Sequence, residues 1–303
     1  MSEDRLRIAV LGPGGVGGLL AALLARSGQA VVVLAGDNTA RVIDEKGISV
    51  ESARLGNFHV TVQTADRLRT PVDVCLITVK ATQLESALER VPAGALVEGL
   101  VVPFLNGIDH VEMLRSVYPS SNVAAATIRI DVARVEAGVI RHNSPFAAVD
   151  LAATDITRDR VERLAAALRE TGLDVRVRED ETAMLWDKLS LLAPMALITT
   201  HERANVGAVR TRRREDALAM ISEVAAVARS EGGSVDPEAV VRLLDMAPEN
   251  METSMQRDQA AGLPLELDAI GGAVVRRAAK SGVAVPVTSR LVEDLRKRDL
   301  RSR

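Results

Sequence analysis

Three observations predict an α/β domain with a doubly wound, mostly parallel sheet, followed by an all-α domain. A short apolar strand runs into the glycine-rich turn "VLGPGGVGG" and from there directly into a helix. Strand and helix patterns alternate as far as about Arg178. Beyond that point only helical periodicity remains, so the domains are placed at residues 1–179 and 180–303.

The elements follow in order. "LRIAVLG" is a nearly continuous apolar run, as a parallel strand buried on both faces should be. "VGGLLAALLARSG" reads as a helix that ends near Gly28. "AVVVLAG" is a second strand, and "GISVES" with "NFHVTVQ" reads as a hairpin of two short alternating strands. "VDVCLITV" is a third buried strand, leading to the helix "KATQLESALERV"; "ALVEGLVVPFLNG" carries a further strand and "IDHVEMLRSVY" a further helix. Separate strand-like pieces recur at "NVAAATIRID", "GVIRH" and "FAAVDLA", before the helix "TRDRVERLAAALRETG" and the strand "DVRVR". These read as βαβ units on one mostly parallel sheet with antiparallel additions. The second half predicts helices over Glu181–Thr200, Arg212–Glu231, Pro237–Ala247, Pro264–Lys280 and Ser289–Lys297, the first of them kinked at Pro194.

Composition narrows the function classes. At 303 residues, with 47% hydrophobic and 26% charged residues, the chain can bury a core without staples. A net charge of −3 gives no electrostatic attraction to nucleic acid or to an anionic membrane, and five aromatics offer no stacking platform for bases. The single cysteine, Cys75, sits inside a buried strand and reads as a small core residue in a reducing compartment. No apolar run reaches the ~20 residues of a membrane span, and "MSEDRLRIAV" lacks the apolar segment of a secretory signal. A cytoplasmic soluble protein is expected. The four histidines have no metal-ligand spacing, so no metal is expected.

The glycine turn carries the first functional reading. In Gly12-x-Gly14-x-x-Gly17, the first glycine makes the tight turn, the second lets backbone approach a pyrophosphate, and the third lets helix and strand pack closely. The helix start, with Gly15 and Val16, offers free N–H groups to phosphate. Placed between a first strand and a first helix, this is the fingerprint of a Rossmann dinucleotide-binding unit. Asp37 follows the second strand, about twenty residues on, where a carboxylate accepts from a ribose 2′-OH and so favours NAD(H). Lys80 after the third strand, or Arg41, could instead hold a 2′-phosphate, as NADP(H) requires. Asp37 also reads simply as part of a helix cap with Asn38 and Thr39.

The stretch "ETAMLWDKLSLLAPMALITT" carries the second. On a helix, Lys188 shares its face with Met184, Leu185, Leu192, Met195 and Ala196, two residues from the only tryptophan, Trp186. A lysine on an apolar stripe must snorkel, pair or do chemistry. Read alone, it fits a snorkelling lysine above Trp186.

Taken together, "GPGGVGG", "TVKATQ", "FLNG", "EAGVIRH", "LWDKL" and "TSMQRD…LELDAIGGAVVRRAAKSGVAVPVTSRL" resemble the ketopantoate reductase (2-dehydropantoate 2-reductase) family over nearly the whole chain. The resemblance implies a Rossmann domain and a helical domain, with a 2-oxo acid reduced at the cleft between them. It places the catalytic lysine at Lys188, substrate-binding groups at Ser254 and Glu266, an asparagine between cofactor and substrate at Asn106, and a nucleotide-binding lysine at Lys80. It implies NADPH as the reductant and pantothenate biosynthesis as the setting. A helical second domain of this kind often forms a homodimer.

Three positions depart from that family's pattern. Leu192 and Ala196 stand where asparagines follow the lysine, Gly36 stands where an arginine takes the 2′-phosphate, and "NSPF" replaces a glycine-rich run after His142. The first departure raises a related 2-hydroxy acid dehydrogenase with a more apolar substrate as an alternative. A non-catalytic dinucleotide-binding regulator is a second one. Without the resemblance, Glu266 is only an early-turn acid after Pro264, Ser254 is uninformative, and Asn106-Gly107 reads as a turn.

Overall fold

A computed structural model describes residues 5–154 and 157–302, without the side chains of residues 301 and 302. The first four residues of the N-terminal charged stretch and the last arginine of the basic C-terminus lie outside it. The described chain divides into two compact units. One holds the residues through Leu105 together with His110–Glu181, and the other holds Asn106–Asp109 with the chain from Thr182 onward.

In the first unit the strands are Arg7–Leu11 (β1), Ala30–Leu34 (β2), Ile48–Ser52 (β3), Phe58–Val60 (β4), Gln63–Ala65 (β5), Val74–Ile77 (β6), Leu100–Pro103 (β7), Ala126–Glu136 (β8), Val139–Ala152 (β9) and Asp174–Arg178 (β10). They form two sheets rather than the one expected. The first, in the order β5-β2-β1-β6-β7, is parallel throughout, and the second runs β10-β9-β3-β4 with β8 on the other edge of β9. The predicted hairpin is present as the antiparallel β3–β4 pair, but it belongs to the second sheet.

The helix Gly15–Arg26 explains why two sheets are needed. Its run Gly17–Leu24 is buried without interruption, and Leu19, Leu20, Leu23 and Leu24 are each 0% exposed. A helix apolar on all sides must be covered on all sides. It packs against β1 and β2 on one side and against β3, β4, β8 and β9 on the other. Gly18 lets it approach the second sheet closely, since a Cβ there would stand 2.5 Å from the Ile140 side chain. At ~1.5–3 kcal/mol per buried leucine, this central helix is the main hydrophobic anchor of the unit.

"GVIRH" and "FAAVDLA" are one 14-residue strand, β9, not two. Pro145 lies between the two pieces, and a proline has no N–H to give a ladder. On one side, however, β3 pairs only with 139–142 and β10 only with 148–152, and on the other the β8 register shifts between Ile130 and Val132. Pro145 therefore falls where no ladder asks it for an N–H.

The second unit is helical: Glu181–Glu202, Val206–Arg210, Arg214–Ser230, Pro237–Met246, Ser254–Ala260, Ala273–Ser281 and Pro286–Ser302. Two short helices, Val206–Arg210 and Ser254–Ala260, were not anticipated, because five and seven residues are too few to show a period. The bend expected at Pro194 does not end the helix, which continues to Glu202. The predicted helix Pro264–Lys280 starts late, with a π-helical turn over Asp268–Gly272. Trp186, 1% exposed, lies in the core of this unit with Leu189, Met220, Val224 and Ile270. Among the described residues no helix is long and apolar enough to cross a membrane.

Candidate active site

In the parallel sheet, β2 and β6 flank β1, so the chain leaves β1 at the point where strand order reverses. Ligands of open α/β sheets bind at the carboxyl ends of the strands beside such a point. The turn Gly12–Gly17 occupies that place. Gly12 has φ +90°, a conformation that favours glycine, and its N–H donates to the Leu34 carbonyl at 3.1 Å. Gly17 has no room for a side chain: a Cβ would lie 2.2 Å from both the Gly12 carbonyl oxygen and Thr78 Oγ1. A Cβ on Gly15 would lie 2.8 Å from the Val132 carbonyl. Gly14 is the opposite case, with nothing within 4 Å of a would-be Cβ. The turn is thus packed from behind and open in front of Gly14, which fits a group that approaches the backbone there. Val16 is partly buried and packs on the core of this unit.

Thr78 completes the turn and was missed by the sequence reading. Its hydroxyl donates to the carbonyls of Leu11 and Gly12, both at 2.8 Å. The available signal was the "TVK" motif, in which only the lysine had been given a role. Lys80 lies partly buried just beyond β6, on one side of the turn. Asp37 lies on the other, beyond β2. It is exposed and is the first residue of the helix Asp37–Lys46, with Gly36 rather than Asp37 at the cap position. Arg41 is turned along its own helix to Glu45, at 3.2 Å.

Cys75 in β6 is fully buried, and desolvation pushes its thiol up to about 12, which leaves it an inert core residue.

In the helical unit the structure joins two of the expected residues that are far apart in sequence. Asn106 Nδ2 donates to Glu266 Oε2 at 2.9 Å. Glu266 is only 4% exposed, and its backbone carbonyl accepts from Ile270 N at 3.0 Å. It therefore stands at the head of the π-helical turn with its side chain inward, not as a solvated first-turn acid. Gly107, at φ +84°, permits the approach: a Cβ there would meet the Ala269 carbonyl at 2.2 Å. Asp109 then fixes the segment. One of its carboxylate oxygens takes two N–H groups of Arg277, at 2.9 and 3.1 Å, and the other takes two of Arg276, at 2.8 and 3.3 Å. Burial raises the Asp109 pKa, but these two arginines outweigh it and hold the carboxyl below its usual range.

Lys188 is partly buried on the helix Glu181–Glu202, with buried Met184, Met195 and Ala196 on its face. Leu192, also on that face, packs against the helical core. Ser254 opens the helix Ser254–Ala260 next to Thr253, whose hydroxyl caps that helix and lies 2.8 Å from Thr199 Oγ1. Among the described residues the Ser254 hydroxyl has no hydrogen-bond partner.

Known proteins resemble this chain in sequence and in fold. The family profile described as "Ketopantoate reductase PanE/ApbA" matches residues 8–156, and the one described as "Ketopantoate reductase PanE/ApbA C terminal" matches residues 180–299. The 2-dehydropantoate 2-reductase of Mycobacterium tuberculosis is 32% identical over 297 residues, spanning 94% of this chain and 95% of that protein. The solved 2-dehydropantoate 2-reductase from Geobacter metallireducens is 26% identical with a TM-score of 0.89, covering 96% of this chain and 99% of that one. D-mandelate dehydrogenase, solved as a ternary complex with NADH and anilino(oxo)acetate, superposes with a TM-score of 0.90 at 22% identity, over 97% of this chain and 99% of that one. That last likeness shows the fold. The two profiles together cover most of the sequence, and the chain belongs to the ketopantoate reductase family of oxidoreductases.

Proposed function

We propose that the protein is an NADPH-dependent 2-oxo acid reductase that converts 2-dehydropantoate to (R)-pantoate, with Lys188 as the proton donor. The observation that carries this reading is the hydrogen bond between Asn106 and the buried carboxylate of Glu266. A family motif in the first half of the chain and another in its last quarter meet there, in the same helical unit as Lys188 and Ser254. Residues 1–179 would hold the dinucleotide, and residues 180–303 would supply the acid and the substrate contacts.

The glycine turn fits a nicotinamide dinucleotide, because its only uncrowded glycine is the one at which a pyrophosphate would approach. When bound, that cofactor supplies the hydride. The protein's own task is the oxygen of the ketone, which gains negative charge as the carbon is reduced. The Lys188 ammonium stabilises that charge and delivers a proton to the same oxygen. Its partly buried, apolar helix face lowers the local dielectric and so strengthens the interaction. Glu266, held by Asn106, accepts a hydrogen bond from a substrate hydroxyl, and the Ser254 hydroxyl donates to the substrate carboxylate.

A second reading keeps the chemistry and changes the substrate. Leu192 and Ala196 replace two amides on the Lys188 face with apolar groups, so a bulkier apolar 2-oxo acid would lose less on binding. Steady-state oxidation of NADPH and NADH with 2-dehydropantoate and with an aryl 2-oxo acid separates the two by kcat/KM. Lys188→Ala should lower kcat by ~10²–10⁴ with nucleotide binding intact. Absence of turnover by the wild type on every 2-oxo acid would overturn the enzyme reading in favour of a dinucleotide-binding regulator.

A further inference from the structure

The adenosine end of the nucleotide offers a residue that neither the motifs nor the resemblance pointed to. A concavity of about 350 Å³ lies at the tip of β2, lined by Asp37, Asp66, Arg67, Ser86, Glu89 and Arg90. Arg90 reaches into it from beyond the helix Leu84–Leu88. Its Nη1 donates to the carbonyl of Ala35 at 2.7 Å and to that of Asp66 at 2.9 Å. Two backbone oxygens thus fix the guanidinium plane. Its Nη2 stands 3.9 Å from where a Cβ on Gly36 would be. Nε and Nη2 have no hydrogen-bond partner among the described residues.

We propose that Arg90 meets the 2′-phosphate of the adenosine ribose, and that Asp37 opposes it by favouring a 2′-hydroxyl. This rests on the dinucleotide reading above. A side chain at position 36 would have stood at the strand tip; glycine leaves that place open, and the guanidinium of Arg90 covers it from a different element. Arginine suits the role because its planar fork matches two phosphate oxygens, and here little freedom remains to be lost on binding. Three other charged groups nearby are less available. Arg41 pairs with Glu45, Asp66 pairs with Arg69 at 3.1 Å, and Lys80 follows β6, on the far side of β1. Arg67 adds a second positive charge to the concavity and Glu89 a negative one. Asp37 is exposed and, among the described residues, its carboxylate has no hydrogen bond or ion pair. It is therefore placed to accept from a hydroxyl or to repel a phosphate.

The test is calorimetric binding of NADPH and NADH, and of adenosine 2′,5′-bisphosphate and 5′-AMP, to the full chain and its variants. Arg90→Ala should lower the NADPH:NADH affinity ratio by about tenfold or more, and the two adenosine fragments should follow the same split. Arg90→Lys should recover part of the ratio, because it keeps the charge without the fork. Asp37→Asn should raise the ratio several-fold. If Arg90 were only a brace for the Ala35 and Asp66 carbonyls, Arg90→Ala would weaken both nucleotides alike, and that result overturns the proposal. A wild type that binds NADH and excludes NADPH overturns it as well, while leaving the dinucleotide reading standing. A wild type that binds neither nucleotide overturns both.

Discussion

Gly14 and Gly17 lie three residues apart on the same turn and should respond oppositely to one methyl group. At Gly17 a Cβ would sit 2.2 Å from the Gly12 carbonyl oxygen and from Thr78 Oγ1, whereas ordinary carbon–oxygen contact begins at ~3.3 Å. Each oxygen would have to retreat by roughly 1 Å. That breaks the 2.8 Å Thr78–Gly12 hydrogen bond, worth about 1 kcal/mol, and adds an overpacking cost of about 1–3 kcal/mol. Gly17→Ala should therefore cost roughly 2–4 kcal/mol, or ~5–15 °C in Tm for a unit of this size. At Gly14 the backbone is extended, φ −74° and ψ −159°, and the methyl meets nothing within 4 Å. Gly14→Ala should leave Tm unchanged or raise it slightly, since alanine restricts the unfolded chain by about 0.4–1 kcal/mol. Its methyl would stand in the open space before the turn, and NADPH affinity should fall at least about tenfold, ~1.4 kcal/mol. Thermal unfolding and fluorescence titration of NADPH read the two effects separately. Wild-type NADPH affinity in Gly14→Ala would refute phosphate approach at this turn. A wild-type Tm in Gly17→Ala would refute the packing reasoning.

Other residues give further tests. Asn106→Ala removes a donor from the buried Glu266 carboxylate and should cost about 1–3 kcal/mol of stability and at least about tenfold in kcat/KM; chemical denaturation and steady-state kinetics check both. Asp109→Ala releases Arg276 and Arg277 and should lower kcat/KM by up to about 10²-fold through displacement of Asn106, and unchanged kinetics would show the clamp to be structural only. Asp150, 1% exposed, accepts from Arg176 at 2.7 Å and from Arg129 at 2.5 Å. Burial raises its pKa, but the two arginines more than offset this and hold it below the usual carboxylate range, so its contribution is present at neutral pH and lost as pH falls through the folded-state value. Asp150→Asn should then destabilise by about 1–3 kcal/mol at pH 7, with the gap to wild type narrowing below about pH 4 in a Tm–pH series. Cys75 should resist thiol reagents at pH 8 until the protein unfolds, given a thiol pushed up to about 12.

Whatever depends on neighbours along the chain could be read in order from the amino acids. Strand β1, its glycine turn and the buried helix after it follow from an apolar run, a spacing of glycines and a period, all within 20 residues. The helical second half and the inert Cys75 were legible for the same reason. Whatever depends on partners remote in sequence was not. Nothing in "LLAALLA" says that two sheets, rather than one, will cover it, and nothing around Pro145 says that its neighbours will leave a gap for it. Asn106 meets Glu266 across 160 residues, and Arg90 reaches the tip of a strand that ends at Leu34. A side-chain hydrogen bond of that kind leaves no local period, because its geometry exists only once the backbone has brought both ends together. Local pattern determined which elements form and which chemistry-bearing residues they carry; packing of those elements decided which of these residues share a hydrogen bond.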